Sequence, residues 1–230
     1  MPKRDHDVYA SEPMRGLLAE ELAALTPFLQ RCAGTRGALV SAWPSDVPPS
    51  LPLLGCWTQL TIAGQSLAGD VRASMHASLP FADGSFDLVL LRHALEVPSA
   101  SPEWLAEVVR CLAPGGLLAL TGVHPISGWL PWWHWRTRGT RSRLNSPLKI
   151  GGWLRRAELQ VERVQRVGCP WPTSRVDASG VVGAMGGGYV MLARKRRAMS
   201  LPTRLRPRPR PVPAPTNAGL ASSARRNPAA

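Results

Sequence analysis

A chain of 230 residues is long enough for one well-buried domain with appendages. Of its 28 Lys/Arg, ten lie from Arg194 onward, where no Asp or Glu occurs. The other 18 face 15 acidic residues, so the net charge of +13 marks a basic tail rather than a basic body. The composition thus argues against a body built for specific nucleic-acid binding.

The first periodic segment is EPMRGLLAEELAALTPFLQRC. Met14, Leu17, Leu18, Leu22 and Leu25 fall at helical spacing, with Glu20 and Glu21 expected on the opposite face and Pro27 ending or kinking the helix. GALVSA (37–42) reads as a short buried strand. The proline-rich WPSDVPPSLPLLG excludes a long regular helix. CWTQLTI (56–62) is a second strand, and DVRASM (70–75) a third.

In the middle, SLPFADGSFDLVLLRHALE gives a turn at Asp83-Gly84 and a continuously apolar strand from Phe86 to Leu91. SPEWLAEVVRCLAPGG follows as a short helix with Ser101 as N-cap, Pro102 in the first turn, and Trp104, Leu105, Val108, Val109 and Leu112 on its apolar face. GLLALTGV is the next strand. Two strands apolar throughout, joined by a helix, predict a parallel βαβ unit covered on both faces. Further on, SPLKIGGWLRRAEL reads as helix, QVERVQRVG as a half-buried strand and GGGYVMLARKR as a last strand. From residue 199 the Pro/Arg-rich sequence predicts a disordered tail.

The four cysteines form no CxxC pair and no metal-ligand spacing, so they read as reduced thiols of a cytoplasmic protein; no metal site is expected. No apolar run spans a bilayer, and MPKRDHDVYASE is not followed by an apolar signal region.

LPFADGSFDLVLLRHALE and VVRCLAPGGLLAL, within residues 79–122, resemble the class I S-adenosylmethionine-dependent methyltransferases. Within them they look most like the type 11 domain shared with ubiquinone/menaquinone C-methyltransferases. VYASEPMRGLLAEELAAL, HPISGW, LKIGGWLRRAEL and GGYVMLARKR extend the resemblance over residues 8–198. It implies an α/β, Rossmann-like fold with a seven-stranded, mostly parallel sheet flanked by helices, over residues 1–198. Residues 124–147 would form a Trp/Arg-rich cap insertion and 199–230 the tail. It also implies S-adenosyl-L-methionine as cofactor, lying across the carboxyl ends of the central strands at the switch in strand order. By correspondence Ser41, Ala42, His76, Ala77 and His93 stand nearest the cofactor, and His124, Trp129, Trp132 and Trp133 on the substrate side.

The sequence departs from the family pattern at three cofactor contacts. The glycine-rich loop after the first strand reads SAWPSDV, with Trp43 and Pro44 where glycines let the backbone approach the ligand. The acid that holds the ribose is replaced by Gln65 and Ser66, and the aspartate that meets the adenine by Met75 or His76. Loss of one such hydrogen-bonded carboxylate weakens binding by about 1.5–3 kcal/mol.

Several residues carry two readings. Asp87 is either a site acid or a strand-start residue that satisfies neighbouring amides. His93 either lines the pocket or acts as a weak base, and His124 is a catalytic base or a hydrogen-bonded loop histidine. No catalytic residue is assigned, because transfer from a sulfonium needs mainly positioning and exclusion of water. The stretch GWLPWWHWRTRGTRSRL (128–144) is a packing arm, a lid over an apolar acceptor, a membrane-surface element or a single-strand binder. Position in the fold favours the first two. The tail is a solubilising extension or a salt-sensitive contact for anionic surfaces. The sequence therefore predicts a methyltransferase of a small acceptor, the alternative being a methyltransferase-like binding partner without catalysis.

Overall fold

The computed structural model describes residues 5–138, 142–173 and 186–196, with side chains described from Val8 onward. The tail from residue 199 and Arg141 lie outside the described residues. Helices α1 (Asp5–Ala10) and α2 (Glu12–Leu29) open the chain. Ser11 takes an extended conformation before α2 and Pro13 sits in its first turn, where no N–H partner is lost. Met14, Leu17, Leu18, Glu21, Leu25 and Leu29 make its buried stripe. Pro27 does not end the helix. It lies so near the C-terminus that α2 runs two residues past it at the cost of one hydrogen bond.

Eight strands form one sheet: β1 (Gly34–Ser41), β2 (Leu54–Ala63), β3 (Ser66–Gly69), β4 (Ala73–Ser74), β5 (Phe86–Arg92), β6 (Leu112–Val123), β7 (Leu159–Val167) and β8 (Gly188–Lys195). Their order is β4-β3-β2-β1-β5-β6-β8-β7. The central joints β2–β1, β1–β5 and β5–β6 are parallel, and the four outer joints are antiparallel. The chain thus has the expected α/β class, with a mixed sheet of eight strands in place of a mostly parallel one of seven. The difference arises after β2. Ala63 pairs with Ser66, leaving a two-residue turn in which Gly64 has φ +66°, so the chain folds straight back into β3. The single strand expected over 70–75 is only the two-residue β4.

Helix α3 (Pro102–Cys111) joins β5 to β6, capped by Ser101, whose side chain accepts a hydrogen bond from the Trp104 amide. Helix α4 (Trp129–Arg136) follows β6, and α5 (Pro147–Arg156) precedes β7. The central strands alternate between two cores. Val40, Val89, Leu91, Leu118 and Leu120 pack with Trp104, Leu105, Ile150 and Leu154 of α3 and α5. Leu39, Leu88, Leu90, Leu117 and Ala119 pack with α2 and with Trp129 and Trp133 of α4. This two-sided burial is why these strands read as continuous apolar runs. No helix of the described residues is long and apolar enough to cross a membrane.

Candidate functional site

The strand order reverses between β1 and β5, and the loops leaving their carboxyl ends diverge there. No helix follows β1; residues 42–53 are a proline-rich loop, as expected from the sequence. Ser41 Oγ donates to the Trp43 carbonyl at 2.6 Å, and the Ala42 amide donates to the Arg92 carbonyl at 3.1 Å. The loop is thereby folded over the strand ends. The Trp43 ring stacks on Tyr9 of α1 with centroids 5.0 Å apart, and the Arg92 guanidinium lies 4.8 Å from the Trp43 centroid. Arg92 pairs with buried Asp46 and donates to the Leu18 carbonyl at 3.1 Å.

His93 is the centre of a second layer. It is 0% exposed and has φ +53°, an uncommon conformation for a side-chain-bearing residue. Its Nε2 lies 3.0 Å from Glu21 and its Nδ1 2.9 Å from Glu96. Glu96 also accepts from the Val123 amide, and Tyr9 Oη reaches within 3.5 Å of it. The segment from Ser142 to Asn145 straps this layer: Ser142 Oγ donates to the Glu96 carbonyl and Asn145 Nδ2 to the Leu95 carbonyl. Burial opposes the imidazolium, but the two carboxylates outweigh it and push His93 up to about 10. Burial raises Glu96 despite its imidazolium partner, and raises Asp46 to about 6 against the pull of Arg92.

The residues expected near a cofactor do not all meet. Ser41, Ala42 and His93 converge at the switch point, with His93 enclosed by protein. His76 and Ala77 instead line a cavity of about 370 Å³ with Met75, Ser101, Trp104 and Glu107, which shares no residue with the ring cluster. On the expected substrate side, His124 accepts from the Ile126 amide at 3.1 Å, and burial lowers its pKa. Trp129 is buried, its indole N–H donating to the Cys169 carbonyl at 2.9 Å, and Trp133 is buried beside Tyr9. Trp132 packs edge-on against Trp129 and is half-buried. Asp87 accepts from the Thr35 and Arg36 amides at 2.8 and 3.2 Å, which fits the strand-start reading.

Sequence reasoning placed Glu21 on the polar face of its helix, and the structure corrects this. Glu21 is 0% exposed and faces His93. Its spacing from Met14, Leu18 and Leu25 already put it on the buried stripe, so the signal was present. Glu96, three residues after His93, carried no sequence signal beyond its place after the strand. Among the described residues no group of His, Cys, Asp and Glu is arranged to hold a metal.

The geometry invites comparison with known proteins. Residues 57–120, from β2 to β6, match the model of a methyltransferase domain. A Thermotoga maritima S-adenosylmethionine-dependent methyltransferase, described as a possible histamine N-methyltransferase, superposes with TM-score 0.54 at 18% identity, over 84% of this chain and 95% of that one. A putative methyltransferase of Bacillus halodurans gives 0.53 at 16% identity, over 76% and 98%. The putative methyltransferase solved with the Trm112 activator of Haloferax volcanii gives 0.52 at 15% identity, over 84% and 97%. No curated protein matches the sequence. The chain has the Rossmann-like fold of class I methyltransferases, with residues 57–120 similar to a methyltransferase domain, and the cofactor that this likeness indicates is S-adenosyl-L-methionine.

The strand-end crevice does not fit that cofactor as it is arranged. Trp43 and Pro44 stand where the methyltransferases the chain resembles carry glycines, and the Trp43 ring lies against Tyr9 and Arg92 at the ends of β1 and β5. Among the described residues Glu21 Oε1, Asp46 Oδ2, Arg92 Nε, Thr121 Oγ1 and Trp133 Nε1 are buried without a hydrogen-bond partner. These atoms gather around the strand ends with polar capacity to spare.

Proposed function

We propose that the chain is an S-adenosylmethionine-dependent methyltransferase of a small acceptor, and that the cofactor binds once the Trp43 ring leaves the crevice. The observation that supports this reading is the domain match over 57–120, which includes β5, one of the two strands whose carboxyl ends border the crevice. The type 11 subtype, relating the chain to quinone C-methyltransferases, belongs to the same proposal and rests on the motifs at 79–122. Ser41, Ala42 and His93 are proposed to border the cofactor on one side and His76 and Ala77 on the other. His124, Trp129, Trp132 and Trp133 are proposed to border the acceptor, the indoles serving as its apolar wall. The proposed location is the cytoplasm, and the basic tail is proposed as a peripheral contact for anionic surfaces. A specific nucleic-acid partner is not part of this reading.

One observation favours a second reading. Half-buried Trp43 rests on buried Tyr9 and Arg92 at the strand ends, a closed arrangement that a methyltransferase-like binding partner without catalysis would tolerate. Photo-crosslinking with methyl-labelled S-adenosylmethionine separates the two. The first reading predicts label on the peptides that contain Ser41–Trp43 or Met75–Ala77; an unlabelled chain, or label spread without preference, supports the second.

A further inference from the structure

The four tryptophans of the acid-free stretch are not used alike. Trp129 and Trp133 are 2% and 1% exposed and pack α4 onto the sheet, while Trp135 is 57% exposed. Two more large apolar groups stand out nearby, Ile126 at 78% and Trp171 at 64%. Trp171 and Trp135 lie along one side of α4, and Ile126 leads into it. A methyl group on Gly128 would come within 2.3 Å of the Trp171 ring, so that ring lies on the residue that caps the helix. Trp135, seven residues on, returns to the same helical face two turns later, with exposed Pro131 between. Ile126 precedes Gly128 by two residues, and its carbonyl accepts from Arg166 at 2.7 Å.

The C-terminal end of α4 beside Trp135 is basic. Between His124 and Asn145 the sequence has four Lys/Arg and no Asp or Glu. Arg136 lies over the Trp135 ring at 5.8 Å and Arg138 is exposed, while half-buried Arg166 holds the Ile126 and Gly186 carbonyls. Arginines alone would suit any polyanion. An aliphatic side chain at 78% exposure adds nothing to a phosphate or a base stack, but it adds free energy when inserted among acyl chains. Indoles at the level of the headgroups with guanidinium groups on the phosphates are the pattern of a bilayer interface.

We infer that the ridge formed by Ile126, Trp171 and Trp135 is a docking surface for an anionic phospholipid bilayer, its indoles and isoleucine entering the headgroup boundary while Arg136 and Arg138, at the end of α4, meet lipid phosphate. The inference is independent of whether the crevice binds a cofactor. It is distinct from binding through the tail, which contributes charge without apolar insertion.

The test is sedimentation of the full chain with vesicles of phosphatidylcholine, with and without phosphatidylglycerol, at two salt concentrations. The wild type is compared with a triple variant, Ile126→Ser, Trp135→Ser and Trp171→Ser. All three positions are exposed, and an unchanged urea midpoint shows that the fold is kept. The expected result is binding to the anionic vesicles only, falling about tenfold or more in the triple variant. Quenching of the wild-type tryptophan fluorescence by lipids brominated near the headgroup, largely lost in Trp171→Ser, shows insertion without relying on the triple variant. Equal partitioning of wild type and triple variant assigns the binding to tail charge and overturns the inference. So does an absence of vesicle binding, or a single-stranded RNA that displaces the vesicles and itself depends on the three side chains.

Discussion

Replacing His93 by Asn tests the buried ionic layer most sharply. Asn tolerates the φ of +53° at this position, so the backbone is kept while the imidazolium is removed. Glu21 and Glu96 are then left facing each other without a counter-charge, at 0% and 1% exposure. Breaking a buried pair in this way costs ~3–5 kcal/mol. One carboxyl escapes by keeping its proton in the folded chain, and the cost of holding that proton rises by about 1.4 kcal/mol per pH unit above the ordinary carboxylate range. The loss is therefore smaller at pH 5 than at pH 7. With a urea dependence of roughly 2–3 kcal/mol per molar, the midpoint falls by about 1–2 M at pH 7. Urea unfolding of wild type and variant at both pH values measures this directly. A midpoint unchanged at pH 7, or a loss equal at the two pH values, would refute the ionic layer.

Three further outcomes follow from the same coordinates. Because folding raises His93 from 6.5 to about 10, its contribution to stability is complete below about pH 6.5 and is lost as the pH rises towards 10. Burial raises Tyr189 as well, so its ionisation opposes folding in the same direction, and thermal midpoints should fall steadily across the alkaline range. Trp133→Ala should cost ~3–5 kcal/mol in denaturant unfolding, as a large ring leaves the α4 core, whereas Trp135→Ala should stay within about 0.5 kcal/mol. A Cβ on Gly187 would lie 1.9 Å from the Trp129 indole nitrogen, so Gly187→Ala should destabilise by about 1–3 kcal/mol and shift the emission of Trp129.

The sheet was legible where burial leaves a periodic trace. The apolar runs of β5 and β6, the capped helix between them and the proline-rich loop after β1 all follow from side-chain pattern and backbone chemistry. The hairpin at Gly64 was not legible, because a two-residue Gly-Gln turn competes with an ordinary loop and only pairing with β2 decides between them. At the site, Trp43 and Pro44 announced that a glycine cradle was missing. They did not announce that Tyr9, from a helix more than thirty residues away in sequence, would stack on Trp43. The Glu21–His93–Glu96 layer joins α2 to the segment after β5, and a charge inside an apolar stripe is read as solvated until its partner is known.

The measurement that bears most directly on the proposed function is calorimetric titration of the full chain and of Trp43→Gly with S-adenosylmethionine and its demethylated product. Removing the ring opens the space over β1 and β5 and places a glycine where the methyltransferases the chain resembles carry one. The account predicts micromolar binding by Trp43→Gly and binding at least about tenfold weaker by the wild type, since the stack must first be broken. No binding by either protein up to millimolar ligand would contradict it, and would leave a methyltransferase fold that acts as a binding partner.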